Sequence, residues 1–78
     1  MIRILLFGAT ADAAGSREFD INIDGDASVE AILESLRMDY PRLSRLRLIT
    51  AVNEEYADVT TMLHDGDELA IFTAVSGG

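Results

Sequence analysis

The sequence predicts a small α+β domain in which one mixed sheet of four to five strands carries one main helix on one face. Three observations lead there. Residues 2–7, 18–23, 48–52 and 68–73 are short runs rich in β-branched and large apolar side chains, bounded by Gly, Asp or Asn. Val29, Ile32, Leu33, Leu36 and Tyr40 recur at helical spacing and give one apolar face. The chain has 78 residues, 49% of them hydrophobic, which makes one globular core and is too apolar for disorder.

Taken in order, the first strand covers residues 2–7 and ends at Gly8. Alternation sends Ile2, Ile4 and Leu6 to one face and Arg3, Leu5 and Phe7 to the other. Residues 10–14 are Ala-rich, with Gly15 placed as a C-terminal cap, so one or two helical turns follow. Residues 18–23 alternate cleanly, with Phe19, Ile21 and Ile23 inward and Glu18, Asp20 and Asn22 outward. Asp24-Gly25-Asp26 is a loop. Ser28 is a good N-cap for the main helix, and Glu30 sits where the helix dipole favours an acid. Glu34 and Arg37 are spaced to pair along that helix. Tyr40 precedes Pro41, which stops the helix, and Leu43 and Leu46 fall on a further short turn. Residues 48–52 form the next strand, Asn53-Glu54-Glu55 its turn, and residues 56–59 a weaker strand. His64-Asp65-Gly66-Asp67 is a strong turn, and residues 68–73 form the last strand, Leu69 and Ile71 on one face, Glu68, Ala70 and Phe72 on the other. The economical assembly of this order is a β-grasp: the helix crosses one face of the sheet and the opposite face is left to water. The domain is expected over residues 1–75, with residues 76–78 as a flexible tail.

Composition narrows the function classes. Six basic and 14 acidic residues give a net charge of −8, which argues against nucleic acid and against an anionic membrane surface. With no Cys and a single His, thiolate chemistry and multi-histidine metal sites are excluded, and no metal or bound cofactor is expected. No apolar run is long enough to span a bilayer, and the stub after Arg3 is too short for a signal-peptide core, so the chain is expected in the cytoplasm. All six basic residues are Arg, so no side chain here accepts an isopeptide bond. His64 beside a turn, with no base or nucleophile near it in sequence, reads as a loop residue. The aspartates flanking Gly25 and Gly66 are explained by turn chemistry rather than a cation site.

Two features exceed a plain globular domain. If the first and last strands pair, alternation places Leu5, Phe7, Ala70 and Phe72 together on the face away from the helix, where water was expected; Tyr56 extends this patch from beyond the turn. Such a patch marks an interface, and burying one Phe there is worth roughly 1.5–3 kcal/mol. The second feature is the terminal pair Gly77-Gly78, directly after the last strand. Two glycines form an unbranched strand that fits a narrow channel, and the reactive group they offer is the Gly78 carboxylate. A carboxylate must be activated before transfer, usually by adenylation. The sequence has no G-x-x-x-x-G-K-[ST] loop, so ATP is expected to be used by a separate activating enzyme.

The chain resembles the small, sulfur-carrying subunit of molybdopterin synthase, a ubiquitin-like β-grasp family. The likeness rests on residues 2–7, the Ala-rich turn closing at Ala14-Gly15, Ala51-Val52-Asn53, the run from Leu63-His64-Asp65-Gly66-Asp67 to Ala70, and Val75-Ser76-Gly77-Gly78. Thr73-Ala74 stand where the family often has prolines. The resemblance implies that an adenylating enzyme activates Gly78, that a sulfur donor protein converts it to a thiocarboxylate, and that the tail enters the large synthase subunit. There sulfur passes to cyclic pyranopterin monophosphate, in a complex of two small and two large subunits. It also implies that Gly77 threads the channel, that Val75 and Ser76 lead into it, and that Phe7, Tyr56 and Phe72 form the contact surface. The acidic charge would suit a basic entrance on the partner, and equally solubility. A sulfur carrier of another pathway, such as the thiamine type, and a ubiquitin-like protein modifier share these marks and stay open as alternatives. So does a binding module whose Gly-Gly end is incidental.

Overall fold

The structure, a computed structural model, describes residues 1–74; residues 75–78, with the expected domain boundary, lie outside the described part. The elements in chain order are β1 (Ile2–Leu6), α1 (Ala9–Ala14), β2 (Glu18–Ile21), β3 (Ala27–Ser28), α2 (Val29–Asp39), a 3-10 helix (Pro41–Arg45), β4 (Leu48–Val52), β5 (Glu55–Ala57), β6 (Met62–Leu63) and β7 (Glu68–Thr73). The main sheet has five strands in the order β2-β1-β7-β4-β5, and β3 and β6 form a separate two-stranded ribbon. β1 and β7 run parallel in the centre, with Leu5 opposite Ala70 and Leu6 opposite Ile71. The flanking pairs are antiparallel. This is the β-grasp arrangement that the element order predicts.

Local chemistry accounts for the elements. Gly15 closes α1 in the left-handed region at φ 72°, where a Cβ would be strained. The Ser28 hydroxyl accepts from the Ala31 N–H at 3.1 Å and caps α2. Pro41 ends α2 and opens the 3-10 turn that buries Leu43. Asn53 and Glu54 both take positive φ, 49° and 72°, which makes a two-residue turn whose twist matches the strands it joins. The turn is thus shorter than the expected Asn53-Glu54-Glu55, and Glu55 belongs to β5. β5 stops at Ala57 rather than reaching residue 59, because Asp58 turns the chain: its carboxylate accepts from the Thr60 N–H at 3.0 Å and the Thr60 hydroxyl at 2.6 Å. β2 is likewise two residues shorter than expected.

Ile2, Ile4, Leu6, Leu69 and Ile71 from the sheet meet Val29, Ile32, Leu33 and Leu36 from α2, joined by Leu43 and Leu63. Phe19, Ile21, Ile23 and Tyr40 pack around this core, with Phe19 and Tyr40 at a centroid distance of 5.8 Å. Among the described residues no helix is long and apolar enough to cross a membrane.

Candidate partner-binding face

The sheet face turned away from α2 divides into a charged half and an apolar half. In the charged half, the Arg3 guanidinium lies 3.2 Å from Glu18 and 3.6 Å from Asp20, with Glu68 opposite Arg3 on β7. These pairs are exposed and add little stability, but they fill that half of the sheet with hydrated groups. In the apolar half, register places Leu5 beside Ala70, Ala70 beside Ala51, Phe72 beside Ile49 and Ala51 beside Tyr56. The expectation of a wholly polar face, drawn from the fold alone, therefore fails in this half, and the patch drawn from alternation stands in its place.

Three aromatic rings form a row across the patch. Phe72 on β7 is the middle ring. Phe7 lies edge-on to it at 6.4 Å and 74°, and Tyr56 at 5.9 Å and 64°. Such edge-to-face pairs contribute about 0.5–1.5 kcal/mol each beyond area burial. The outer rings stay open to water, Phe7 at 50% and Tyr56 at 81% of their full surface. A contiguous apolar row rimmed by charge is the usual form of a protein-binding surface.

Sequence reasoning missed Thr10. Its side chain is fully buried, and its oxygen accepts from the Phe7 N–H at 2.9 Å. The hydroxyl hydrogen faces the Phe7 carbonyl at 2.7 Å and the Ile71 carbonyl at 2.9 Å. Thr10 thus fastens the start of α1 to the ends of both central strands, which fixes the backbone carrying Phe7. Its signal was a lone Thr at the start of an Ala-rich helix. Ile49 was missed as well, because only the pairing of β4 with β7 brings it against Phe72.

The exit of the last strand is also defined. Ala74 donates its N–H to the Arg47 carbonyl at 3.1 Å, so the backbone is held along β4 one residue beyond β7. Val75, Ser76, Gly77 and Gly78 lie outside the described residues.

At the opposite end of the sheet, loops meet through charged groups. The His64 Nδ1 is 2.8 Å from an Asp26 carboxylate oxygen, and this hydrogen bond, with the charge of Asp26 and the weaker field of Asp67, raises the imidazole pKa above 6.5. Asp67 accepts from the His64 N–H at 2.8 Å and from the Asn53 amide at 3.0 Å, which holds its carboxyl below the ordinary carboxylate value. Among the described residues no group of three His, Cys, Asp or Glu converges to hold a metal. Asp67 bonds within its own turn, as the turn reading expects, whereas Asp26 reaches His64 on another loop.

The family model described as the ThiS family matches residues 4–78. The molybdopterin synthase sulfur carrier subunit of Mycobacterium tuberculosis is 35% identical over 81 residues, covering 99% of this chain and 96% of that one. Small archaeal modifier protein 1 of Haloferax volcanii is 37% identical over 83 residues, covering 94% of this chain and 95% of the relative. The crystal structure of SAMP1 from Haloferax volcanii has the same ubiquitin-like fold, with a TM-score of 0.84 at 36% identity over 99% of this chain and 98% of that chain.

Proposed function

The chain belongs to the ThiS family, and we propose that within it this protein is the sulfur-carrying small subunit of a molybdopterin synthase. The observation that carries the reading is the aromatic row Phe7–Phe72–Tyr56, exposed on the same sheet whose last strand leads to Gly77 and Gly78. A chain that offers a docking face and a small-residue terminus is suited to be carried into another protein's active site. The 35% identity to a sulfur carrier subunit supports the choice of pathway.

In this reading the chemistry resides at the Gly78 carboxylate. One carboxylate oxygen attacks the α-phosphate of ATP on a separate adenylating enzyme, and pyrophosphate leaves. Sulfide-level sulfur supplied by a donor protein then attacks the acyl carbon, the C–O bond to AMP breaks, and AMP leaves a thiocarboxylate behind. Phe7, Tyr56 and Phe72 dock on the large subunit, with Val75 and Ser76 leading in. Gly77, lacking a side chain, passes a narrow channel. The sulfur goes to cyclic pyranopterin monophosphate in the large subunit, and the spent carboxylate returns for recharging. The protein itself binds no cofactor in this scheme and works in the cytoplasm. Burial of the aromatic row drives docking, at roughly 1.5–3 kcal/mol for each fully covered ring.

The decisive experiment is the intact mass of protein from its own host, before and after a thiol-selective alkylating reagent. The sequence has no Cys, so an adduct mapped to Gly78 reports a thiocarboxylate. An absence of adduct even after supply of ATP, the activating enzyme and a sulfur donor would overturn the reading. The second reading, a protein modifier, is favoured by the 37% identity to small archaeal modifier protein 1. Incubation of lysate with ATP separates the two: a ladder of covalent conjugates supports the modifier, and its absence the carrier.

A further inference from the structure

The charge of this chain is not spread evenly over the fold. Residues 37–47 hold four of its six basic residues, Arg37, Arg42, Arg45 and Arg47, against the one carboxylate of Asp39. None of these four is in an ion pair among the described residues. Topology brings the segment to one end of the molecule. β4 runs antiparallel to β7 with Leu48 opposite Thr73, so Arg47 lies beside Ala74, where the tail departs. Arg42 and Arg45 line one groove with Ala9, Asp12 and Ala13 of α1, itself tied to the end of β7 through Thr10. Alternation along β4 puts Arg47 on the same face as Ile49, at the tailward edge of the aromatic row.

The far end has the opposite character. The loops and turns there carry Asp24, Asp26, Glu54, Asp65 and Asp67 and no Arg. Charge is thus uneven: carboxylates are concentrated on the far-end loops, where the Met1 ammonium pairs with Asp65, and arginines are concentrated beside the tail root, with Asp12 in the same groove.

We propose that Arg42, Arg45 and Arg47 form a basic collar around the tail root that docks against an acidic rim at the mouth of the tail-receiving channel, on the large synthase subunit. This rests on the carrier reading above and adds to it the chemistry of the partner's entrance. It replaces the simpler idea that a chain of net charge −8 seeks a basic entrance. Five of the 14 acidic residues sit on the far-end loops, while the segment beside the tail root holds four Arg against Asp39 and the neighbouring Asp12. In the field of an acidic rim such a distribution turns the chain tail-first, which shortens the orientational search that limits ordinary association.

The test is stopped-flow association with the large subunit from the same host across a range of salt. The wild type is compared with the triple variant Arg42→Gln, Arg45→Gln, Arg47→Gln, and with a far-end control, Asp24→Asn with Asp65→Asn. At low salt the triple variant should associate about tenfold more slowly, with dissociation changed less than about twofold, and the gap should close as salt screens the field. The control should associate no faster than the wild type. Unchanged or faster association of the triple variant would overturn the collar while leaving the carrier reading standing. Failure of the wild type to bind the large subunit at all would overturn the carrier reading and the collar with it. Circular dichroism melts establish that each variant is folded, and single Arg→Gln variants, each expected to fall between wild type and triple, keep the comparison open if the triple variant does not fold.

Discussion

The Thr10 hydroxyl oxygen stands 2.9 Å from the Ile71 carbonyl, 61 positions away in sequence, and 2.9 Å from the Phe7 N–H. One buried side chain thereby joins the start of α1 to both central strands. Phe7 ends up beside Phe72 because this junction fixes where β1 stops. Thr10→Val keeps the shape and removes the hydroxyl, while the Phe7 N–H keeps its bond to the Ile71 carbonyl and the Phe7 carbonyl keeps its bond from the Thr10 N–H, both at 3.2 Å. The expected loss in urea unfolding is about 0.5–1.5 kcal/mol, the net worth of the hydroxyl's own bonds. An unchanged midpoint would show that these backbone bonds suffice without it.

Phe72 is flanked by Phe7 and Tyr56, so it is the ring a partner would cover most completely. Phe72→Arg should weaken binding to the large subunit by more than tenfold, because a desolvated charge is set where an apolar ring was buried. The fold should survive, since the ring faces away from the core. Calorimetric titration reads the affinity, and full affinity in the variant would sink the assignment of this face.

Deletion of Gly77 and Gly78 should do the reverse. Sulfur transfer should fall to background in a reconstituted assay, while affinity for the large subunit stays within a few-fold. If transfer persisted without these residues, the reactive carboxylate would have to be elsewhere.

Glu54 occupies φ 72° in a turn that favours glycine at that position. Glu54→Gly should raise stability by about 0.5–1 kcal/mol, relief of the left-handed strain being partly offset by the greater freedom of glycine in the unfolded chain. A rise in melting temperature checks this.

His64 links stability to pH. Its pKa is raised above 6.5, first by the hydrogen bond to Asp26. The stabilisation is complete below the unfolded value of about 6.5 and is lost as pH rises through the folded value. Melting temperature should therefore fall modestly on going from pH 6 to pH 8.5, and His64→Gln should flatten that slope. A slope unchanged by the substitution would assign the effect to another group.

Much of this molecule was legible in the sequence because its periodicities are local. The apolar spacing of α2, the Ser28 cap, Gly15 and the bounds of β4 and β7 all follow from steric and hydrogen-bond rules acting over a few residues. Alternation even indicated which side of β1 and β7 would carry Phe7 and Phe72. The two-residue strands β3 and β6 left no such mark: Ala27–Ser28 and Met62–Leu63 are too short to show a period, and they exist because Ala27 pairs with Leu63 and Ser28 with Met62, far apart in the chain. Nor could periodicity show which half of the open face would be charged. That depends on register, which sets Arg3 opposite Asp20 and Ile49 opposite Phe72.

The sequence by itself determined the β-grasp order, the apolar stripe of α2 and the net acidity of the chain. Each follows from residue type and near-neighbour spacing. Only the tertiary structure decided that three aromatic rings form one row, that a buried Thr10 anchors Phe7, and that Arg47 and the turn carrying Arg42 and Arg45 lie near where the tail departs while several loop carboxylates lie at the other end. These are relations between residues distant in the chain, and they arise from the pairing of strands, which no local preference encodes.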